Sequence, residues 1–152
     1  MPTRTWTLRL DDVLLPGPNE LMRMHAQDYR RLRDELLLLA RASLDPALPA
    51  APLEACTVHV TLWRPARRLL DADAKYGAVK PLLDVLQPGR GYARKVGGRQ
   101  VLDTTNGLAL LRDDRDGEAG LKGCIRDLRV VQRLGDPAVD VRVDAHDTEA
   151  AA

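Results

Sequence analysis

Phenylalanine is missing from this 152-residue chain, and aromatic residues amount to 3% of it. Leucine and valine must therefore carry the core. Cysteine is nearly missing as well. Two residues, Cys56 and Cys124, exclude a disulfide framework and read as buried structural thiols of a reducing, cytoplasmic setting. No apolar run approaches the roughly 20 residues that would span a bilayer. The opening residues, MPTRTWTLRL, carry no signal-peptide apolar stretch. These features predict a soluble cytoplasmic protein with no membrane partner. Net charge is also close to nil, at +1, so any nucleic-acid-binding surface must be local rather than global. Lysine is scarce, with 4 against 19 arginines. A GC-rich genome would produce that bias. So would phosphate contacts, where the planar guanidinium fork matches paired oxygens.

What is present is enough for one core: 45% of residues are apolar, at a length that suits a single domain. Residues 1–143 are expected to form that domain, and 144–152 a frayed acidic tail. Trp6, Leu8 and Leu10 alternate with polar residues, predicting a half-buried strand. LPGPN (Leu15–Asn19) then breaks the chain. Tyr29, Leu32, Leu36, Leu39 and Ala40 fall on one helical face, predicting a helix to about Ala42. Cys56, Val58, Val60 and Leu62 alternate with Thr57, His59, Thr61 and Trp63, predicting a second strand. Val79, Leu82, Leu83 and Leu86 predict a helix over Ala78–Leu86, with Pro81 tolerated only in its first turn. Residues 88–106 are Gly-rich and read as a long loop. Ile125–Gln132 and Val139–Val143 read as two strands with a turn at Leu134–Pro137. The fold class is α+β, a small mixed sheet covered by helices in the order β-α-β-α-β-β.

The chemistry concentrates in RRLLDADAKYGAVKPLLDVL (Arg67–Leu86). In extended backbone Asp71 and Asp73 point to one face. Two converging carboxylates repel unless a cation lies between them. Mg2+ suits them, because it takes oxygen ligands and often only one or two carboxylates plus substrate phosphates. Lys80 could then bind the phosphate or stabilise a leaving oxygen. A plainer role fits the same residues. Acids ahead of a helix favour its dipole, and Lys80 with Asp84 makes an i,i+4 surface pair worth about 0.3 kcal/mol.

The same stretch resembles the central motif of the RusA family of Holliday-junction resolvases. Family members carry an arginine-rich lead, D-x-D-N, a lysine three residues after the Asn, an aspartate four residues later, and D-x-L. LLPGPNELMRMH (Leu14–His25) resembles the family's Pro-rich turn, LLRDDRD (Leu110–Asp116) its later acidic pair, and RDLRVVQ (Arg126–Gln132) the strand that follows. The resemblance spans most of the chain. It implies a homodimeric endodeoxyribonuclease that needs Mg2+, with Mn2+ able to substitute. Such enzymes resolve four-way junctions by paired nicks in DNA recombination and repair. By position, Asp71 and Asp73 match the first two metal-binding acids and Lys80 the catalytic lysine. The third acid is Asp114, the second of its pair, with Asp113 and Asp116 as alternatives.

The chain departs from the pattern in three places, one of them at the later acidic pair, which Arg112 precedes and the insertion GEAGLKG (Gly117–Gly123) follows. Ala74 stands where the Asn is expected, and three extra residues separate Asp73 from Lys80. Anchored on Lys80, the Asn place falls on Gly77. A related nuclease preferring flaps fits the same pattern. So does a different class: a non-catalytic branched-DNA-binding or interaction protein on this fold, its site broken by the altered spacing.

Arg64, Arg67 and Arg68 lie just before the acids and are expected to contact DNA, because cations there release counterions from the phosphate backbone. The insertion at 88–106 adds Arg90, Arg94, Lys95 and Arg99 with Tyr92 as a stacking face, as a basic flap would. The leucine run Leu36–Leu39 covers more than one helical face, as core alone or as core plus a dimer seam.

Overall fold

Period-two patterning builds the sheet. In β1 (Thr5–Asp11), Trp6, Leu8 and Leu10 are buried and the residues between them exposed. In β2 (Cys56–Arg64), Cys56, Val58, Val60 and Leu62 are buried as the alternation predicts. The computed structural model describes residues 4–89, 93–96, 99–102, 106–118 and 121–146. Its helices are α1 (Pro18–Arg23), α2 (Ala26–Ser43), α3 (Ala74–Ala78) and α4 (Lys80–Leu86). The remaining strands are β3 (Ala93–Val96), β4 (Arg99–Leu102), β5 (Ile125–Leu134) and β6 (Ala138–Ala145).

The class is α+β. A four-stranded mixed sheet has the order β1-β6-β2-β5, with β2 and β5 parallel and β6 antiparallel to both of its neighbours. Its register stacks apolar rows on one face: Trp6, Val143, Val58 and Leu128, then Leu8, Val141, Val60 and Val130. α2 crosses β1 and packs on α4, burying Leu36, Leu37 and Ala40. Each leucine taken fully from water contributes about 1.5–3 kcal/mol. The opposite face is polar. One of its rows runs Thr7, Arg142, His59 and Arg129.

Four expectations need correction. The turn at Leu134–Pro137 does not close a hairpin, because β2 lies between β5 and β6. The connection passes over the end of β2, with Gly135 N–H on the Arg64 carbonyl at 3.1 Å. Two strand spacings are about 9.6 Å, within reach of three extended residues at about 3.3 Å each, so turn length alone could not exclude this crossing. The stretch at 88–106 is not all loop, since β3 and β4 pair antiparallel within it. The tail does not begin at 144, because β6 runs to Ala145 and His146 N–H reaches the Ala55 carbonyl at 2.9 Å. Residues 147–152 lie outside the described residues. α1 also forms where only a turn was expected, with Pro18 in its first turn.

The helix expected over Ala78–Leu86 is two short helices meeting at Val79. Pro81 lies in the first turn of α4, where its missing N–H costs no helical bond. Gly77 lets α1 dock there. A Cβ on it would lie 2.6 Å from Pro18 Cγ, so the place that anchoring on Lys80 assigns to Asn admits no side chain here. Among the described residues no helix is long and apolar enough to cross a membrane.

Candidate active site

The approach to the acids is held from both sides. Arg64 is 2% exposed and donates to the Leu15 carbonyl and the Arg68 carbonyl, each at 2.6 Å. It clamps the chain ahead of the acids and is not placed to meet DNA, contrary to expectation. Burial lowers its pKa, Arg68 lowers it further, and Glu20 opposes them. Arg67 and Arg68 are exposed, and Arg68 faces Glu20 at 3.5 Å. Gln132 of β5 then grips Leu70 from the side. Its Oε1 accepts the Leu70 N–H and its Nε2 donates to the Leu70 carbonyl, both at 2.8 Å.

Asp71 and Asp73 follow on an exposed turn. The extended backbone assumed for them does not form: Asp73 has φ −85 and ψ −34 and leads into α3. The Asp71 carbonyl accepts the Lys75 N–H at 3.2 Å. The three additional residues thus form a helical turn, and the same-face argument from strand geometry does not apply. The Asp73 side chain makes no capping hydrogen bond.

Lys80 opens α4 and reaches two acids, with Nζ 2.9 Å from Asp84 and 2.5 Å from Asp114. The i,i+4 pair is therefore real, and Asp114 joins it from 34 residues away. Tyr29 of α2 completes the network, donating its hydroxyl to Asp84 at 2.6 Å. Burial lowers the Lys80 pKa, but hydrogen bonds to Asp114 and Asp84 outweigh it and hold the ammonium above the ordinary lysine value. The Tyr29 hydroxyl is pushed well up by burial and by its bond to Asp84, so it stays a proton donor.

The acidic triplet divides its roles. Asp113 is 3% exposed and accepts from Arg112 Nε, Arg115 Nη2, Arg115 N and Cys124 N. Burial alone would raise its pKa; these donors more than reverse that and hold it low. Asp116 accepts the Glu118 N–H at 2.9 Å and closes a local turn. Asp114 is the member that faces Lys80.

The structure thus joins Lys80 to Asp114. Among the described residues no three metal-ligating side chains are gathered, so Asp71, Asp73 and Asp114 do not form one group. The oxygen chemistry of Asp71 and Asp73 suits Mg2+, while a three-carboxylate cage is not built. Arg90 lies outside the described residues, and Arg94, Lys95 and Arg99 fall on β3 and β4 with side chains outside them. Cys56 and Cys124 are buried free thiols with sulfurs 3.8 Å apart. His25 caps α2 through Nδ1 at 3.2 Å from the Gln27 N–H.

Sequence reasoning missed Tyr29, Gln132 and the cations around Asp113. Tyr29 lies 55 residues from its partner Asp84, and its helical spacing marked it as core. Gln132 carried a readable signal, a polar residue in the row of Leu10, Val139 and Leu62. No family model matches the chain, and no curated protein does.

Proposed function

We propose that this chain is a Mg2+-dependent endonuclease of branched DNA. It would resolve four-way junctions by paired nicks and act as a homodimer, one site for each strand. The observation that carries this reading is the contact between Lys80 and Asp114, which joins the two motifs of the RusA resemblance across the fold. Asp71 and Asp73 would hold Mg2+, and a bound Mg2+ supplies Lewis-acid stabilisation of an attacked phosphodiester. Lys80 stands ready to bind a phosphate oxygen. Asp84 and Asp114 keep its ammonium charged and aimed, and Tyr29 fixes Asp84. Gln132 anchors the chain immediately before Asp71.

One observation favours the different class, a non-catalytic binder of branched DNA. Asp71, Asp73 and Asp114 do not gather into one group among the described residues. A labelled four-way junction and a flap, each incubated with and without Mg2+, decide between the readings. Paired, metal-dependent nicks in the junction that vanish in Asp71→Asn support the resolvase. Preferential flap cutting points to a related nuclease. Tight junction binding without cutting under Mg2+ or Mn2+ rejects the nuclease and leaves the binder.

A further inference from the structure

Among the described residues Asp113 is the one buried acid, and it holds two arginines side by side. Arg112 Nε and Arg115 Nη2 each lie 3.1 Å from its Oδ2. Arg112 also donates from Nη2 to the Lys122 carbonyl at 2.5 Å, which ties the following segment to the pair. That segment has a pinched neck. Gly117 N–H bonds the Ile125 carbonyl at 2.7 Å and Gly123 N–H bonds the Asp116 carbonyl at 3.0 Å. A Cβ on Gly123 would sit 2.2 Å from the Arg115 carbonyl, so only glycine allows the backbones to meet. Arg112, Arg115 and Lys122 line a pocket of about 650 Å3 together with Gln87, Asp113 and Asp114. Asp114 is the partner of Lys80.

We infer that this pocket seats a DNA backbone phosphate neighbouring the one at Lys80. The inference rests on the nuclease reading for its ligand and deepens it. Guanidinium groups match phosphate oxygens in paired geometry. A buried carboxylate orients both arginines, Arg112 partly buried and Arg115 exposed, which reduces the side-chain freedom lost on binding. Three cations line the pocket against two carboxylates, Asp113 held by the arginines and Asp114 sharing Lys80 with Asp84. The insertion GEAGLKG (Gly117–Gly123), otherwise a departure from the resemblance, supplies Lys122.

The test is binding of a labelled four-way junction, without divalent metal, across a salt series. Arg115→Ala with Lys122→Ala should weaken binding at least ten-fold. It should also lower the slope of log affinity against log salt by about one, since each phosphate contact contributes roughly 0.9. Lys122→Glu, a change at an exposed side chain, repeats the test if the double variant melts early. Unchanged affinity and slope in a folded variant overturn the inference. So does competition by a 5′-mononucleotide as effective as competition by DNA, which would mark a small-phosphate site. Weakened binding in the variants of a protein that never cuts retains the pocket and rejects only the nuclease. Cutting by the wild-type chain with unchanged binding by the variants rejects only the pocket.

Discussion

At the scale of single residues, Lys80 shows how one position can satisfy two readings. Its i,i+4 bond to Asp84 is the ordinary surface pair, and its bond to Asp114 is the contact a phosphate-binding lysine needs for orientation. Removing Asp114 should separate them. Asp114→Asn deletes one of the two acids that raise the Lys80 pKa, so that pKa should fall toward the ordinary lysine value. A raised folded-state pKa adds stability below the unfolded lysine value and loses it as pH rises through the folded one. The variant should therefore lose part of the lysine's contribution at neutral pH. The side chain is more than half exposed, so screening keeps that loss small. With only four lysines in the chain, an NMR titration of the lysine Cε signals can follow Lys80 directly. A Lys80 signal that titrates as in the wild type would mean that Asp114 does not hold the ammonium. Asp113 is the contrasting neighbour. It is one residue away in sequence, yet buried and already matched by four donors. Nothing in the letters of an acidic pair distinguishes the member that faces inward.

At the scale of elements, the positions of Asp71 and Asp73 depend on how α3 begins and where α1 docks. Gly77→Ala should push α1 off α3, because the added Cβ meets the ring of Pro18 at 2.6 Å. A proline ring cannot swing away as a long side chain can. Overpacking of this kind costs about 1–3 kcal/mol, readable as a shift in the denaturant midpoint. An unchanged midpoint would mean that α1 does not rest on α3. Apolar spacing gave the burial of Leu82, Leu83 and Leu86 correctly, because that spacing is the same in one helix or in two. The break at Val79 was less visible. It follows from Pro81 and from the meeting of two helices, and neither alters the apolar period. The hairpin β3–β4 was hidden for a similar reason: its two strands are four residues each and rich in arginine and lysine, which resembles loop composition.

At the scale of the whole molecule, the sheet and its covering helices bury both cysteines, one at the start of β2 and the other just ahead of β5. Cys56 and Cys124 are each 0% exposed. The Cys124 sulfur and burial raise the Cys56 pKa, while the same contact lowers that of Cys124, so it is burial and not ionisation that shields both thiols. In native protein a thiol reagent should thus modify neither cysteine, and both should react once denaturant unfolds the chain. Rapid modification of the native protein would show that this end of the sheet opens readily. The same scale decides what DNA would meet. Arg64 belongs to a run of arginines that reads as one basic lead, yet the fold turns it inward to hold two carbonyls. Arg112, Arg115 and Lys122 come from a segment dominated by acids and glycines, yet the fold gathers them around one pocket.

The sequence alone determined the period-two strands, the amphipathic helices, the buried thiols and the pairing of Lys80 with Asp84. Each of these depends on residues within a turn or a pleat of one another, where backbone geometry sets the distance. Tertiary structure alone decided which acid meets Lys80, that Tyr29 and Gln132 support the site, and that β6 lies between β1 and β2. These contacts join residues tens of positions apart, and their distances depend on how whole elements pack. For the same reason the helical turn after Asp73 could be counted in the sequence as three additional residues, but where it leaves the two carboxylates could not.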